Sequence, residues 1–265
     1  MSRKIAIIGG GNLGASIAEG LIDSEFSRPV EITITRRNPA ALSRFAERGS
    51  MVHSDNKKAV KGSDVIILAV KPYNYEDVIN EIKSVLNPAK HVVVSVITGV
   101  WIEQLQKAIG KPVPVIRAMP NTAIAIQQSM TCLAHTGASA TQVNYITELF
   151  DQLGRTVIID EKLMDAATVL GACGTAYAMR YIRANIQGGI EIGFDAATAS
   201  LIAAQTVKGA AELLLEKNTH PEYEIDKVTT PKGCTIAGLN EMEHQGFSSS
   251  LIRGVVASYR KISKD

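Results

Sequence analysis

Aromatic side chains are scarce in this chain, at 5% of 265 residues, with a single tryptophan. Cysteine is scarcer still. Cys132, Cys173 and Cys234 are odd in number and far apart, which argues against a disulfide framework and offers no zinc-ligand spacing, so no metal is expected. No uncharged apolar run approaches the ~18 residues of a membrane span. The first apolar run begins almost at once, leaving no room for a charged leader ahead of a signal core. A formal charge of +2 provides no bulk electrostatic attraction for nucleic acid or a membrane surface. These absences point to the cytoplasm and to a small-molecule partner. What is present, 46% hydrophobic and 20% charged residues, suits a globular chain of one large or two modest domains.

The opening stretch organises the rest. Ile5 to Ile8 reads as a buried strand, and Gly9-x-Gly11-x-x-Gly14 follows without a gap. Asn12 reads as a helix N-cap, after which Leu13, Ile17 and Leu21 recur at helical spacing. In such a strand–turn–helix, Gly9 permits the tight turn, Gly11 lets a pyrophosphate approach the backbone, and Gly14 lets helix and strand pack closely. The positive end of the helix then faces the phosphates. Val30 to Thr35 reads as the second strand, whose far end discriminates between cofactors. An NAD site places an acid about 20 residues past the glycines. This chain has Arg36-Arg37-Asn38 instead, and guanidiniums fork onto a 2′-phosphate, which favours NADPH over NADH. The plain alternative is a pair of solvated arginines.

Further along, Val65 to Val70 is a continuous apolar run ended by Pro72, placing Ala69, Val70, Lys71 and Pro72 at the carboxyl end of a strand. His91 to Ile97 repeats the pattern and leads into Thr98-Gly99; Val113 to Arg117 leads into Met119-Pro120-Asn121. Met130 to Ala134, a helix from Ala140 and Thr156 to Ile159 complete a doubly wound α/β half over residues 1–160. From Glu161 onward convincing strands stop. The second half, 161–265, is all-α and rich in small residues, with Ala197, Leu201, Ala204, Val207, Ala211 and Leu214 forming a stripe. Small residues let helices approach, so two copies are expected to pack through this half as a dimer.

With these pieces in place the chain resembles the pyrroline-5-carboxylate reductase family over essentially its whole length. The resemblance rests on Ile8 to Gly14, Ala69-Val-Lys-Pro72, Arg117-Ala-Met-Pro-Asn-Thr122, Met164 to Thr168, Gly174-x-Ala-Tyr177, Gly209-Ala-Ala211 and, most specifically, Val228-Thr-Thr-Pro-x-Gly-x-Thr-Ile-Ala-Gly-Leu239. It implies an N-terminal Rossmann domain, a helical dimerisation domain whose dimers assemble further, often to decamers, and NAD(P)H-dependent reduction of a cyclic imine. Carried over by position, Gly9, Gly11, Asn12, Leu13, Gly14, Arg36, Arg37 and Asn38 would hold the ADP-ribose half of NADP. Ala69, Val70, Lys71, Pro72, Ile97, Thr98 and Gly99 would line the nicotinamide side, with Met119, Pro120 and Asn121 near the reacting centre. The loop bearing Thr229, Thr230, Lys232, Gly233, Cys234 and Thr235, supplied by the partner's helical domain, would offer N–H groups to the substrate carboxylate. Thr235 matches the family threonine that bonds the ring nitrogen and is the one catalytic assignment. A protonated C=N is already electrophilic, so aligning it with the nicotinamide and holding the carboxylate still suffices.

The chain departs from the family pattern in two loops. Gly171-Ala-Cys-Gly-Thr-Ala-Tyr177 stands where the family usually reads Ser-Gly-Ser-Gly-Pro-Ala-Tyr, and Pro231-Lys-Gly-Cys-Thr235 where it reads Pro-Gly-Gly-Thr-Thr. Lys232 either strengthens anion binding in the same enzyme or signals a different acidic imine or a damaged pocket. Reduction of pyrroline-5-carboxylate to proline is therefore the leading expectation. Reduction of another cyclic imino acid, or a non-catalytic NADP-binding oligomer, are the alternatives.

Overall fold

Short β-branched runs make the inner strands of the N-terminal half, and most of them are buried at every position because helices cover both faces of the sheet. The computed structural model describes residues 3–263, which divide between Ala172 and Cys173 into two compact units. In the first unit β1 (Ile5–Ile8) leads through the glycine turn to α1 (Asn12–Asp23). β2 (Ile32–Thr35), α2 (Ser43–Glu47), β3 (Met51–His53), α3 (Asn56–Lys61) and β4 (Val65–Leu68) follow. Then come α4 (Tyr75–Ile82), β5 (Val92–Ser95), α5 (Ile102–Ile109) and β6 (Val115–Met119). β7 (Ser129–Thr136), α6 (Ala140–Asp151), β8 (Gly154–Ile158) and the one-turn α7 (Met164–Ala167) complete the unit.

The strands lie in the order β3-β2-β1-β4-β5-β6-β7-β8. Pairing is parallel except between β6 and β7, where Met119 faces Cys132 and Val115 faces Thr136. The link from β6 to β7 holds only a 3-10 turn, too short for the crossover that a parallel partner needs. Side chains alternate with period two. Ile5 and Ile7 therefore enter one core with Ile17, Leu21, Ile32 and Ile34, while Ala6 and Ile8 enter the other with Ile66, Leu68, Ile79 and Leu105. The chain leaves β1 for β2 on one side and resumes at β4 on the other. Such a switch point opens a crevice at the carboxyl ends of the strands.

The second unit is helical, as expected: α8 (Gly174–Glu191), α9 (Ala196–Lys217), α10 (Pro221–Lys227), α11 (Cys234–His244) and α12 (Phe247–Ser263). A π-helical turn, Thr168–Cys173, precedes α8. Asp195 caps α9 by accepting from the Ala197 and Thr198 N–H groups, and the Thr198 side chain, followed by these N–H groups, holds its carboxyl below the usual carboxylate range. A methyl on Gly189 would stand 3.1 Å from the Ala199 Cβ, so α8 and α9 approach as closely as small residues permit. Yet Ala199 and Ala203 are the buried residues of α9, and Leu201 in its apolar stripe is 70% exposed. Two readings need correction. Asn12 is the first residue of α1, not its cap, because Gly11 takes that position. The signature stretch is not a loop throughout, since Cys234 and Thr235 open α11. Among the described residues no helix is long and apolar enough to cross a membrane.

Candidate active site

The glycines differ in what a side chain would meet. Gly9 has φ +109, and a methyl there would stand 2.5 Å from the Ala69 carbonyl oxygen. Its N–H and that of Gly10 both donate to the Thr35 carbonyl, at 3.2 and 2.7 Å, which pins the turn to the end of β2. A methyl on Gly14 would overlap the Gly9 oxygen and crowd Ile7 and Ala69. A methyl on Gly11 would meet nothing within 4 Å. Two glycines thus serve packing, and one keeps a backbone surface open to a ligand. No side chain caps α1, and its first helical bond is Ala15 N–H to the Gly11 carbonyl at 2.9 Å. The earlier N–H groups, including those of Asn12 and Leu13, face this open surface, as an anion site requires.

Beside it, Arg36 donates from Nη1 to the Gly10 carbonyl at 3.2 Å, tying the end of β2 to the glycine turn. Arg36, Arg37 and Asn38 are exposed. Asn38 Oδ1 accepts from the Ala40 N–H and caps the turn Pro39–Leu42, leaving its amide nitrogen for other partners. Among the described residues neither arginine is in an ion pair. Two guanidiniums without ion pairs among the described residues, with only Nη1 of Arg36 engaged, stand beside an uncapped helix terminus and fit the phosphates and 2′-phosphate of NADP.

The same sheet edge gathers the expected nicotinamide side. Ala69 continues β4 by donating to the Ile8 carbonyl at 2.9 Å. Val70 is half-buried, Lys71 and Pro72 are exposed, and Lys71 begins the turn Pro72–Asn74. After β5, Ile97 is buried with its N–H on Ser95 Oγ at 3.3 Å, while Thr98 and Gly99 are exposed and Gly99 has φ +75. Met119, the last residue of β6, and Pro120 after it are buried. Asn121 is fully engaged: Oδ1 accepts from the Ala123 N–H, Nδ2 donates to the Gly171 carbonyl at 3.2 Å, and its own N–H donates to Ser129 Oγ.

Arg117 ends the expected strand run from Val113, and no role in the site was expected of it. Arg117 is completely buried within β6. Its Nη1 lies 3.3 Å from Glu161 Oε1, Nη2 lies 4.0 Å from Asp165 Oδ1, and the guanidinium stands 5.5 Å from the Trp101 ring. Its Nε and Nη2 have no hydrogen-bond partner among the described residues. A lone charge inside an apolar strand run was the signal that could have singled it out.

In the helical unit, Thr230-Pro231-Lys232-Gly233 forms a turn closed by the Gly233 N–H on the Thr230 carbonyl at 3.0 Å. Lys232 has φ +58. With Pro231 ahead of it, this is type II geometry, in which glycine is the usual third residue. Thr229 donates its hydroxyl to the Ile225 carbonyl at 2.7 Å. Gly233 holds the N-cap position of α11 without a side-chain cap, so the N–H groups of Cys234 and Thr235 are helix-terminal donors. Thr235 is half-buried, and its hydroxyl has no partner among the described residues. Cys132 is buried in the first unit, and burial pushes its thiol pKa up, away from reactivity. Among the described residues no group of three or more His, Cys, Asp or Glu could hold a metal ion.

Both halves of the chain match described families. A family model described as pyrroline-5-carboxylate reductase dimerisation matches residues 161–265. One described as NADP oxidoreductase coenzyme F420-dependent matches residues 4–99. Pyrroline-5-carboxylate reductase 1 of Dictyostelium discoideum is 45% identical over 97% of this chain, which spans only 49% of that longer protein. Pyrroline-5-carboxylate reductase 2 of the same organism is 40% identical over 99% of this chain and 93% of its own length. A solved pyrroline-5-carboxylate reductase from Coxiella burnetii superposes with a TM-score of 0.94 at 28% identity, covering 100% of this chain and 98% of that one. With 40% identity across nearly the full length of both chains, this protein belongs to the pyrroline-5-carboxylate reductase family.

Proposed function

We propose that the protein catalyses NADPH-dependent reduction of 1-pyrroline-5-carboxylate to L-proline, the final step of proline biosynthesis. It is an NAD(P)H-dependent oxidoreductase acting on a C=N bond. Bound at the glycine turn, the reduced dinucleotide supplies the hydride. The chain's own residues bind and orient. The open backbone at Gly11 and the α1 terminus take the pyrophosphate, with Arg36 and Arg37 on the 2′-phosphate; Ala69 to Pro72 and Ile97 to Gly99 line the nicotinamide side. Met119 and Pro120, both buried, keep water from the reacting centre.

The observation that carries the substrate assignment is the free polar set opening α11, in a chain of this family. The terminal N–H groups of Cys234 and Thr235 are placed for a carboxylate, and the unpaired Thr235 hydroxyl for the ring nitrogen. A protonated C=N is already electrophilic, so this reading asks for no acid–base pair in the chain. Lys232 favours a second reading: an exposed cation at a strained position suits a substrate with more anionic character than pyrroline-5-carboxylate. Following NADPH absorbance with purified protein decides between them. Rapid oxidation with pyrroline-5-carboxylate supports the first reading, turnover only with a different acidic imine supports the second, and tight NADPH binding without any turnover overturns both.

The working form in this reading is a cytoplasmic homodimer formed through the helical unit, with assembly towards a decamer. The support is the family's dimerisation region together with Ile192, Leu201 and Ile252, which are 78%, 70% and 63% exposed in the single chain. A folded monomer in sedimentation at micromolar protein would refute it.

A further inference from the structure

Nothing in the proposed chemistry uses Arg117, although it is the largest fully buried side chain of the described residues. Its cost is plain: a guanidinium out of water, with Nε and Nη2 lacking hydrogen bonds among the described residues. Replacing a buried ion pair by apolar groups of similar volume is often neutral or stabilising, so stability alone does not account for the pair with Glu161. Its geometry offers another reason. Glu161 Oε1 accepts from Arg117 Nη1 and also, at 2.7 Å, from the backbone N–H of Ile102, the first residue of α5. Trp101, the residue before it, lies against the guanidinium, and its own N–H is held by Gln104 Oε1 at 2.8 Å.

One carboxylate oxygen therefore anchors the far end of the segment 97–101. The near end is anchored by the Ile97 N–H on Ser95 Oγ and the Val96 N–H on the Leu68 carbonyl. Between the anchors lie Thr98 and Gly99, exposed, with Gly99 in the left-handed region. We infer that Arg117 and Glu161 are positioning residues, which act through the Ile102 N–H and Trp101 to fix the path of Ile97–Gly99 along the nicotinamide. The inference rests on the reading above that this segment faces the nicotinamide. It predicts a division of labour. The glycine turn and arginines hold the cofactor, and the Arg117–Glu161 anchor orients its reactive ring.

Two readouts need no imine. In Glu161→Gln, hydrogen exchange at the Ile102 amide should rise at least tenfold, because the acceptor loses its charge and its guanidinium partner. The nicotinamide emission of bound NADPH should shift, as should its energy transfer from Trp101, the chain's single tryptophan. The third readout is kinetic. The kcat should fall at least tenfold while the Kd for NADPH stays within threefold, measured well below the unfolding temperature of each variant. Arg117→Met, apolar and of similar length, should fold and show the same pattern. Arg117→Lys should recover part of the lost kcat. If Ile102 exchange rises but bound-NADPH emission and kcat match wild type, the pair is structural only and the inference is wrong. If kcat and Kd deteriorate together, it is likewise wrong. Should wild-type protein fail to turn over pyrroline-5-carboxylate, the functional reading fails, and the emission of bound NADPH still decides the inference.

Discussion

A methyl group added at Gly11 and one added at Gly14 should have opposite consequences, although the two glycines sit in one motif three residues apart. In Gly14→Ala the new carbon overlaps the Gly9 carbonyl oxygen and stands 3.1 Å from Ile7 Cγ2 and 3.2 Å from Ala69 Cβ. The oxygen belongs to the backbone turn and cannot rotate away, so α1 must lift from β1. Overpacking of this kind costs about 1–3 kcal/mol. The gain of alanine over glycine within a helix returns up to about 1 kcal/mol. Because a backbone atom stands in the way the cost lies at the upper end, and the net loss of about 2 kcal/mol lowers Tm by about 4–8 °C in a domain of this size. In Gly11→Ala the methyl meets no atom, and φ −80 with ψ −166 is ordinary for any residue. Stability should therefore change by less than about 0.5 kcal/mol. The space it fills is the one through which a phosphate reaches the α1 N–H groups. Losing one charge-assisted hydrogen bond, about 1.5–3 kcal/mol, weakens NADPH binding by roughly 10- to 100-fold. Thermal unfolding followed by circular dichroism and NADPH titration by calorimetry read the two effects separately. A Gly11→Ala protein that binds NADPH like wild type would refute the placement of the pyrophosphate, and a Gly14→Ala protein with unchanged Tm would refute the packing argument.

Exchanging Arg36 and Arg37 for Asp and Ser should move the ratio of NADPH to NADH activity towards NADH by at least tenfold, since the guanidiniums have no ion-pair partner to lose; an unmoved ratio in steady-state kinetics counts against the 2′-phosphate site. Lys232→Gly should relieve a left-handed backbone and stabilise the turn by about 0.5–1 kcal/mol, visible as a rise in the midpoint of unfolding. The same variant should raise the substrate KM if the ammonium touches the carboxylate, so an unchanged KM removes Lys232 from the site. His91 is buried, and burial, reinforced by Lys90, pushes its pKa below the usual imidazole value. Its Nδ1 accepts the Asn87 N–H, a bond that the protonated ring cannot keep. The unfolded chain thus takes up the proton more readily, and stability should be full above about pH 6.5 and fall as pH drops through the lowered folded value. Denaturant midpoints between pH 7 and pH 5 should fall less steeply in His91→Asn, and parallel slopes would exclude the histidine as the cause.

Much of this was written locally. Ile5 to Ile8 could only be a buried strand, Gly9-x-Gly11-x-x-Gly14 could turn into a helix only with these glycines, and a charge pair without an acid already favoured a phosphate at Arg36 and Arg37. Boundaries were less secure where backbone geometry competes with side-chain preference. Asn12 has the chemistry of a cap, yet Gly11 takes that place because the tight turn begins at Gly9. The stretch from Val228 to Leu239 carried no apolar periodicity strong enough to reveal that α11 starts at Cys234. The antiparallel turn from β6 to β7 was equally hidden, since strand direction follows from the length of the connection and not from strand composition.

Local pattern alone therefore determined the elements, the alternation of strand and helix, and the glycines, because each depends on neighbours within a few residues. Only the tertiary structure decided which residues share an environment. It separated Gly11, with open space beside it, from Gly14, pressed against Gly9, and it placed Lys232 in a conformation glycine would prefer. It also joined Arg117 to Glu161, 44 positions apart, and through that carboxylate to the first N–H of α5. Contacts across that separation are set by the packing of the sheet against its helices, and no stretch of sequence spells them out.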